Sequence, residues 1–185
     1  VTKTDLRRQY RAARKAFVAS LGPGERERLE RQLAAMIAPA LADVRMAGSY
    51  AAVADEIDPV WVEKLLGPHA FPRVAGANIS FHQVEWSALV PGFQNIPEPP
   101  ASAPQVEPDL LLVPLVAVTL SGVRLGQGRG YYDRALAALR QRRPVRAIGL
   151  AFECQIAPAL PAEAWDMPLD LIATPERLVD CRKYR

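Results

Sequence analysis

Cysteine and histidine are scarce in this chain, with two of each among 185 residues. Cys154 and Cys181 cannot build a disulfide scaffold at this length, and so few thiols fit a reducing compartment. His69 and His82 share no zinc-ligand spacing with each other or with a cysteine, which excludes a structural zinc site. Long apolar runs are missing as well. The longest, Leu110–Val118, contains Pro114 and is about half the length of a membrane span. Charge of one sign is also lacking. The 23 Lys and Arg against 20 Asp and Glu leave a net charge of +3, far below the basic footprint of a nucleic-acid-wrapping protein. The opening residues, Val1-Thr2-Lys3-Thr4-Asp5-Leu6, have no apolar core and no small-residue cleavage site, so no secretory signal is read there. The expectation is a soluble, cytoplasmic protein that engages neither nucleic acid nor membrane.

What remains is the balance of a folded globular protein, 50% hydrophobic and 23% charged. The length suits one domain spanning 1–185. Residues 4–20 read as a helix capped by Thr4 or Thr2. Leu6, Tyr10, Ala13 and Phe17 form its apolar stripe, and Lys3, Arg7, Arg11 and Arg14 form a basic one. The basic stripe reads either as a solvated face or as an anion-binding face. Lys3 and Arg7, one turn apart, could close on a single ligand. Gly22-Pro23-Gly24 then breaks the chain, and 25–41 reads as a second amphipathic helix.

Val44–Val53 reads as a buried strand, followed by Asp55-Glu56-Ile57 and a short helix over 59–66. Phe71–Val74 and Ile79–Trp86 read as short strands. Seven of the 17 prolines lie from Pro91 to Pro114, so that stretch reads as extended loop. Leu110–Val118, Val145–Ala151 and Leu169–Ala173 read as further buried strands, and 131–141 as a helix. Continuous apolar runs alternating with amphipathic helices indicate an α/β fold, a single-domain three-layer α/β/α arrangement with a mostly parallel central sheet.

The chemistry-bearing stretch is Gly122-Val-Arg-Leu-Gly-Gln-Gly-Arg-Gly-Tyr-Tyr-Asp-Arg134, which holds four of the 11 glycines. It follows a predicted strand and opens a predicted helix. Glycines let backbone N–H groups converge, a helix N-terminus adds positive potential, and Arg124 and Arg129 add charge. It matches neither the Walker A spacing nor the dinucleotide fingerprint. It reads either as a phosphate cradle or as a glycine-rich turn. Asp133 reads either as a partner of the helix dipole or as a magnesium ligand beside phosphates. Tyr132 shares the buried stripe of Ala135, Leu136 and Leu139, which leaves Tyr131 freer to line a cleft.

These residues resemble the signature of the 5-formyltetrahydrofolate cyclo-ligase family, also called 5,10-methenyltetrahydrofolate synthetases. The run from Arg124 to Asp133 matches without a gap. Weaker matches follow the same order along the chain: Lys3-Thr-Asp-Leu-Arg7, Asp55-Glu56-Ile57, Phe71-Pro-Arg-Val74, Ile96-Pro-Glu-Pro99, and Leu160-Pro-Ala-Glu163 leading to Asp166 and Asp170. The chain departs from the pattern at Val118-Thr119, where Phe-Asp is usual, and at Trp165, where His is frequent.

The resemblance implies an ATP- and magnesium-dependent enzyme acting on a small-molecule substrate, a reduced folate. It would convert 5-formyltetrahydrofolate to 5,10-methenyltetrahydrofolate and release ADP and phosphate. The formyl oxygen is a poor leaving group. Its phosphorylation lets N10 attack, and phosphate departs as the ring closes.

Carried over residue by residue, Lys3, Thr4, Asp5, Leu6 and Arg7 would contact ATP. Arg124, Leu125, Gly126, Gln127, Gly128, Arg129, Gly130, Tyr131 and Tyr132 would form the nucleotide loop. Gln127, Gly128, Arg129, Gly130 and Tyr131 would also lie close to the folate, with Ala51 and Glu56 against it. Asp133 and Asp170 would hold magnesium, and Arg124, Tyr131 and Asp133 would act in catalysis.

Arg11 and Arg14 are expected to be solvated, and Trp61, Trp86 and Trp165 to be packing residues, unless one of them borders the pterin cleft. The histidines are expected to be structural or solvent-facing rather than catalytic, and the acting unit a monomer. Two other readings stand beside this one. The first is a nucleotide- or phosphate-binding module without ligase activity. The second is a basic RNA- or DNA-binding domain using Arg7, Arg8, Arg11, Arg14, Arg182, Lys183 and Arg185, for which no recognised motif is present.

Overall fold

Thr2 sets the start of the first helix, α1 (Lys3–Ser20). Its hydroxyl accepts from the Asp5 N–H at 3.1 Å, while the Asp5 carboxylate accepts from the Thr2 N–H at 3.2 Å. This reciprocal box satisfies two donors that the helix end would otherwise leave free. The computed structural model describes residues 2–185. Gly24, with φ of 74°, turns the chain into α2 (Glu25–Ile37). The helix expected to reach residue 41 instead tightens into a 3-10 turn over Ala38–Leu41. Pro39 has no N–H to continue the α-helical ladder, so the shorter turn takes over.

The strands in chain order are β1 (Ala47–Gly48), β2 (His69–Ala75), β3 (Asn78–Gln83), β4 (Val90–Pro91), β5 (Pro97–Glu98) and β6 (Gln105–Val106). They continue with β7 (Leu110–Val113), β8 (Ala117–Val118), β9 (Arg124–Leu125), β10 (Arg146–Leu150), β11 (Leu171–Ala173) and β12 (Leu178–Asp180). A short helix, α3 (Val60–Glu63), follows β1, and α4 (Tyr131–Arg140) follows β9. Eight strands form the main sheet in the order β12-β11-β10-β7-β1-β2-β3-β6. The run from β11 to β2 is parallel, and antiparallel pairing is confined to β12, β3 and β6 at the two edges.

The mostly parallel sheet was legible in the apolar runs, but several boundaries were not. Val44–Val53 pairs regularly only at Ala47–Gly48. Gly48 has no substitute there, because a Cβ would come within 2.8 Å of the Phe81 ring. Leu110–Val118 is cut in two at Pro114, where the ladder has no N–H to use. β8 then pairs with β9 as a small separate hairpin. The stretch expected to be loop from Pro91 to Pro114 carries β5 and β6, short strands at the margin of the fold.

Alternation along β7 produces the layers. Leu111 and Val113 point into a core shared with Leu136 and Leu139 of α4. Leu110 and Leu112 point into the opposite core, shared with Leu33 and Ile37 of α2 and with Phe17 of α1. Helices therefore cover both faces, as continuous apolar strands require. The chain leaves β1 toward β2 on one side, while β7, on the other side of β1, leads toward β10. Such a reversal opens a crevice beyond the carboxyl ends of the strands.

Candidate functional site

A cleft of about 1060 Å³ occupies that crevice. One wall is α1, which presents Lys3, Arg7, Arg11 and Arg14 from a single helical face. The turn after β1 supplies Ala51, Asp55 and Glu56. The glycine loop supplies Arg124 through Asp133, and Trp165 and Asp166 close the far rim. Seven cationic and five anionic side chains line the cleft. Pairing decides which of these charges a ligand could use.

Arg14 is the first correction. Expected to be solvated, it is 4% exposed. Its Nε donates to Asp55 at 2.7 Å and its Nη1 to the Leu115 carbonyl at 3.1 Å, and Nη1 lies 3.9 Å from the Glu56 carboxylate. Burial alone would raise the Asp55 pKa, but the Arg14 hydrogen bond and charge hold it below its ordinary value of 3.8. Arg14 thus anchors the turn that carries Glu56. Position on the same stripe as Lys3 and Arg7 was the available signal.

Arg7, Arg11 and Arg129 are differently placed. Arg7 donates to the Gly126 carbonyl at 2.9 Å. Arg11 reaches the Gln127 side chain, and the Arg129 guanidinium lies 4.8 Å from the centre of the Phe93 ring. Among the described residues none of the three pairs with a carboxylate, so their charge is available to an anion. Gly128 is needed where it stands. Its φ is +102°, and a Cβ there would lie 3.2 Å from the Arg7 guanidinium carbon.

Arg124 is 9% exposed. It donates to Asp133 at 2.6 Å and to the Met167 carbonyl, while the Met167 N–H donates back to Asp133 at 3.0 Å. This clamp draws the segment around Asp166 to the cleft. Burial pulls the Arg124 pKa down, and Asp133 opposes it. On the far rim the Lys3 ammonium lies 2.9 Å from Asp166 and 3.7 Å from Glu163. Burial would raise the Asp166 pKa, but the Lys3 hydrogen bond carries it below the ordinary 3.8.

Glu56 is 6% exposed on the cleft floor. One carboxylate oxygen accepts from the Val53 N–H at 3.1 Å and the other from the Gln127 side-chain amide at 2.8 Å. Tyr131 stands at the mouth, its ring centre 6.5 Å from that of Phe93. Tyr132 lines the cleft as well, with its ring edge-on to Phe81 at 6.4 Å.

The structure leaves some expected residues outside. Thr4, Asp5 and Leu6 do not line the cleft. Asp5 is spent on the helix cap, and Leu6 packs against Ala117, Leu125 and Ala157. Asp170 is outside too. It pairs with Arg140 at 2.6 Å and accepts from the Ala147 N–H at 2.8 Å. Asp133 and Asp170 therefore do not face one common ligand space.

Among the described residues no group of three or more His, Cys, Asp or Glu could hold a metal ion. Magnesium does not require such a cage when phosphate is present, since one carboxylate, phosphate oxygens and water suffice. Arg124 and the Met167 N–H both engage one oxygen of Asp133, and among the described residues the other has no hydrogen-bond partner.

Trp86 is a correction as well, being 53% exposed rather than packed, while Trp165, 70% exposed, is the tryptophan that borders the cleft. Trp61 is held between Arg31 and Lys64, with both cations within 3.6 Å of the ring centre. His82 is buried and bridges Ser80 and the Ala103 carbonyl at 2.8 Å each, a structural placement. Both cysteines are free thiols. Sequence reasoning had no role for Phe93, which lies on a turn where Gln94 and Asn95 take left-handed φ of 56° and 60°. No helix among the described residues is long and apolar enough to cross a membrane.

A family model described as the 5-formyltetrahydrofolate cyclo-ligase family matches residues 1–175. The 5-formyltetrahydrofolate cyclo-ligase of Escherichia coli strain K12 is 36% identical over 115 residues, 60% of this chain and 63% of that protein. The match thus spans less than two thirds of that relative's length. The solution structure of Aquifex aeolicus 5,10-methenyltetrahydrofolate synthetase superposes with a TM-score of 0.81 at 29% identity, covering 98% of this chain and 94% of that one. A 5,10-methenyltetrahydrofolate synthetase from Mycoplasma pneumoniae shares the fold with a TM-score of 0.73 at 24% identity, over 95% of this chain and 99% of that one.

Proposed function

This chain belongs to the 5-formyltetrahydrofolate cyclo-ligase family, and from that premise we propose that it catalyses the ATP-dependent cyclisation of 5-formyltetrahydrofolate to 5,10-methenyltetrahydrofolate. The observation that carries the reading is convergence. A glycine loop at a helix N-terminus, arginines without carboxylate partners among the described residues and a nearly buried glutamate all open into one cleft. The first two suit a polyphosphate. The third suits a ring rich in N–H donors, such as the pterin of a folate.

In this reading Arg7, Arg124 and Arg129 compensate phosphate charge, and Lys3 does so once it exchanges Asp166 for nucleotide. Glu56 orients the ring, with Ala51 beside it. Tyr131 and Phe93 border the folate at the mouth. The formyl oxygen accepts the terminal phosphoryl group, N10 attacks the formyl carbon, and phosphate leaves. The protein's work is to position the two substrates and to stabilise charge in a site shielded from bulk water. Magnesium, when bound with the nucleotide, supplies further phosphate neutralisation. Asp133 is the residue that would hold it. Asp170 acts through the fold, by fixing Arg140 and the start of β10. The proposed acting unit is a monomer, and the proposed compartment is the cytoplasm.

The direct test is the appearance of the methenyl chromophore from 5-formyltetrahydrofolate, dependent on both ATP and magnesium. A folded protein with no turnover overturns the ligase reading. Nucleotide binding without turnover points instead to a phosphate-binding module. Lys3→Ala tests the nucleotide assignment. Removing one charge-assisted contact raises the KM for ATP about tenfold, with a smaller change for folate. A larger change in the folate KM than in the ATP KM reverses the assignment of this end of the cleft.

A further inference from the structure

Tyr132 presents an anomaly that the binding assignments do not absorb. Its hydroxyl is buried and finds no hydrogen-bond partner among the described residues. The neighbouring buried phenol, Tyr50, has one: it donates to the Ile57 carbonyl at 2.7 Å. A buried polar group left unmatched weakens the fold, and a phenylalanine there would avoid that loss. The ring itself is well packed, edge-on to Phe81. The oxygen is therefore the feature that packing does not explain.

Its surroundings indicate what the oxygen serves. Tyr132, the second residue of α4 just after the glycine loop, lines the cleft. Burial raises its pKa well above the ordinary 10.0, with Glu56 adding to the rise and Arg124 opposing it. The hydroxyl thus stays protonated at any working pH and can serve as a neutral donor. Glu56, assigned above to the folate ring, and Arg124, assigned to phosphate, line the same cleft as Tyr132. Tyr132 thus shares one cleft with residues assigned to both substrates.

We propose that Tyr132 is a further catalytic residue, whose hydroxyl donates a hydrogen bond to the oxygen that the formyl carbon gives up when the ring closes. In that step N10 forms its bond to the formyl carbon, and the bond from that carbon to the phosphorylated oxygen breaks. The electron pair leaves on the phosphate, and the N10 proton passes to solvent. The departing oxygen gains negative charge, so a fixed donor stabilises the transition state more than the ground state. This inference rests on the cyclo-ligase reading.

Tyr132→Phe removes the O–H and keeps the ring against Phe81. The expected result is a fall in kcat of about ten- to a hundredfold, the worth of one hydrogen bond to a charged group. The KM for ATP stays within about threefold, and the melting temperature is unchanged or higher. A wild-type kcat in the variant overturns the proposal and assigns the hydroxyl to internal solvation. Loss of folding in the variant overturns it too, since the O–H would then be a structural requirement. The parallel assay of the unaltered protein keeps the two readings separable. If that protein forms no methenyl product, the ligase reading fails. If it turns over and the variant matches it, only the Tyr132 inference fails.

Discussion

Arg14→Met lowers stability by roughly 3 kcal/mol, and the melting temperature by about 10 °C for a chain of this size. The side chain is almost wholly inside the protein, and its guanidinium satisfies Asp55, the Leu115 carbonyl and part of the field of Glu56. Methionine keeps most of the stem volume, so the loss is electrostatic rather than a cavity. It leaves the Asp55 and Glu56 carboxylates uncompensated beside each other. The low end of the range for breaking a buried pair applies, because the Asp55 side chain is 20% exposed. Adding Asp55→Asn to the variant recovers part of the loss by removing one of the orphaned charges. Thermal unfolding of the two variants measures both effects. A drop of under about 1 kcal/mol in the single variant means that water or Arg26 replaces the lost partner. Folate binding weakens in the same variant, because Arg14 fixes the turn on which Glu56 rides.

Arg124→Met abolishes most of the turnover, with kcat falling about a thousandfold. Two losses add at this residue. The first is the positive charge that the proposed mechanism sets where phosphoryl charge develops, and removal of one such group costs about a hundred- to a thousandfold. The second is the clamp to Asp133 and the Met167 carbonyl, which sets the position of the first turn of α4 against the Asp166 segment. Arg124→Lys restores the charge but cannot reproduce the planar fork that reaches both partners, so it recovers only part of the rate. Steady-state kinetics on both variants make the check. A kcat within threefold of the parent in a folded Arg124→Met protein removes this residue from the reacting centre.

Both residues lie near the cleft, yet only one was legible in the chain. Arg124 sits inside a contiguous run of glycines, tyrosines and an aspartate, and the chemistry of that run is local. Arg14 looked like a solvated helical residue, since its partner Asp55 lies 41 positions away. Asp170 failed in the opposite sense. It belongs to a recognisable motif, but Arg140 and the Ala147 N–H claim its carboxylate outside the cleft. Trp165 reads as a packing residue or a cleft border, and topology puts it on the rim. Edge strands such as β6 and β12 are too short to show a period, and exist because a neighbouring ladder offers them pairing.

The sequence by itself determined the α/β class, the alternation of buried strands with amphipathic helices, and the glycine loop opening a helix. Those features depend on periods of two to four residues and on backbone freedom at single positions, both of which are local. Only the tertiary structure decided which charges are available to a ligand. The sheet order brings α1, the turn after β1 and the loop before α4 to one crevice. There, Asp55 and Asp166, distant in the chain, pair with Arg14 and Lys3, while among the described residues Arg7, Arg11 and Arg129 have no carboxylate partner. Coulombic pairing depends on distance in space, and chain position does not encode that distance until the fold has formed.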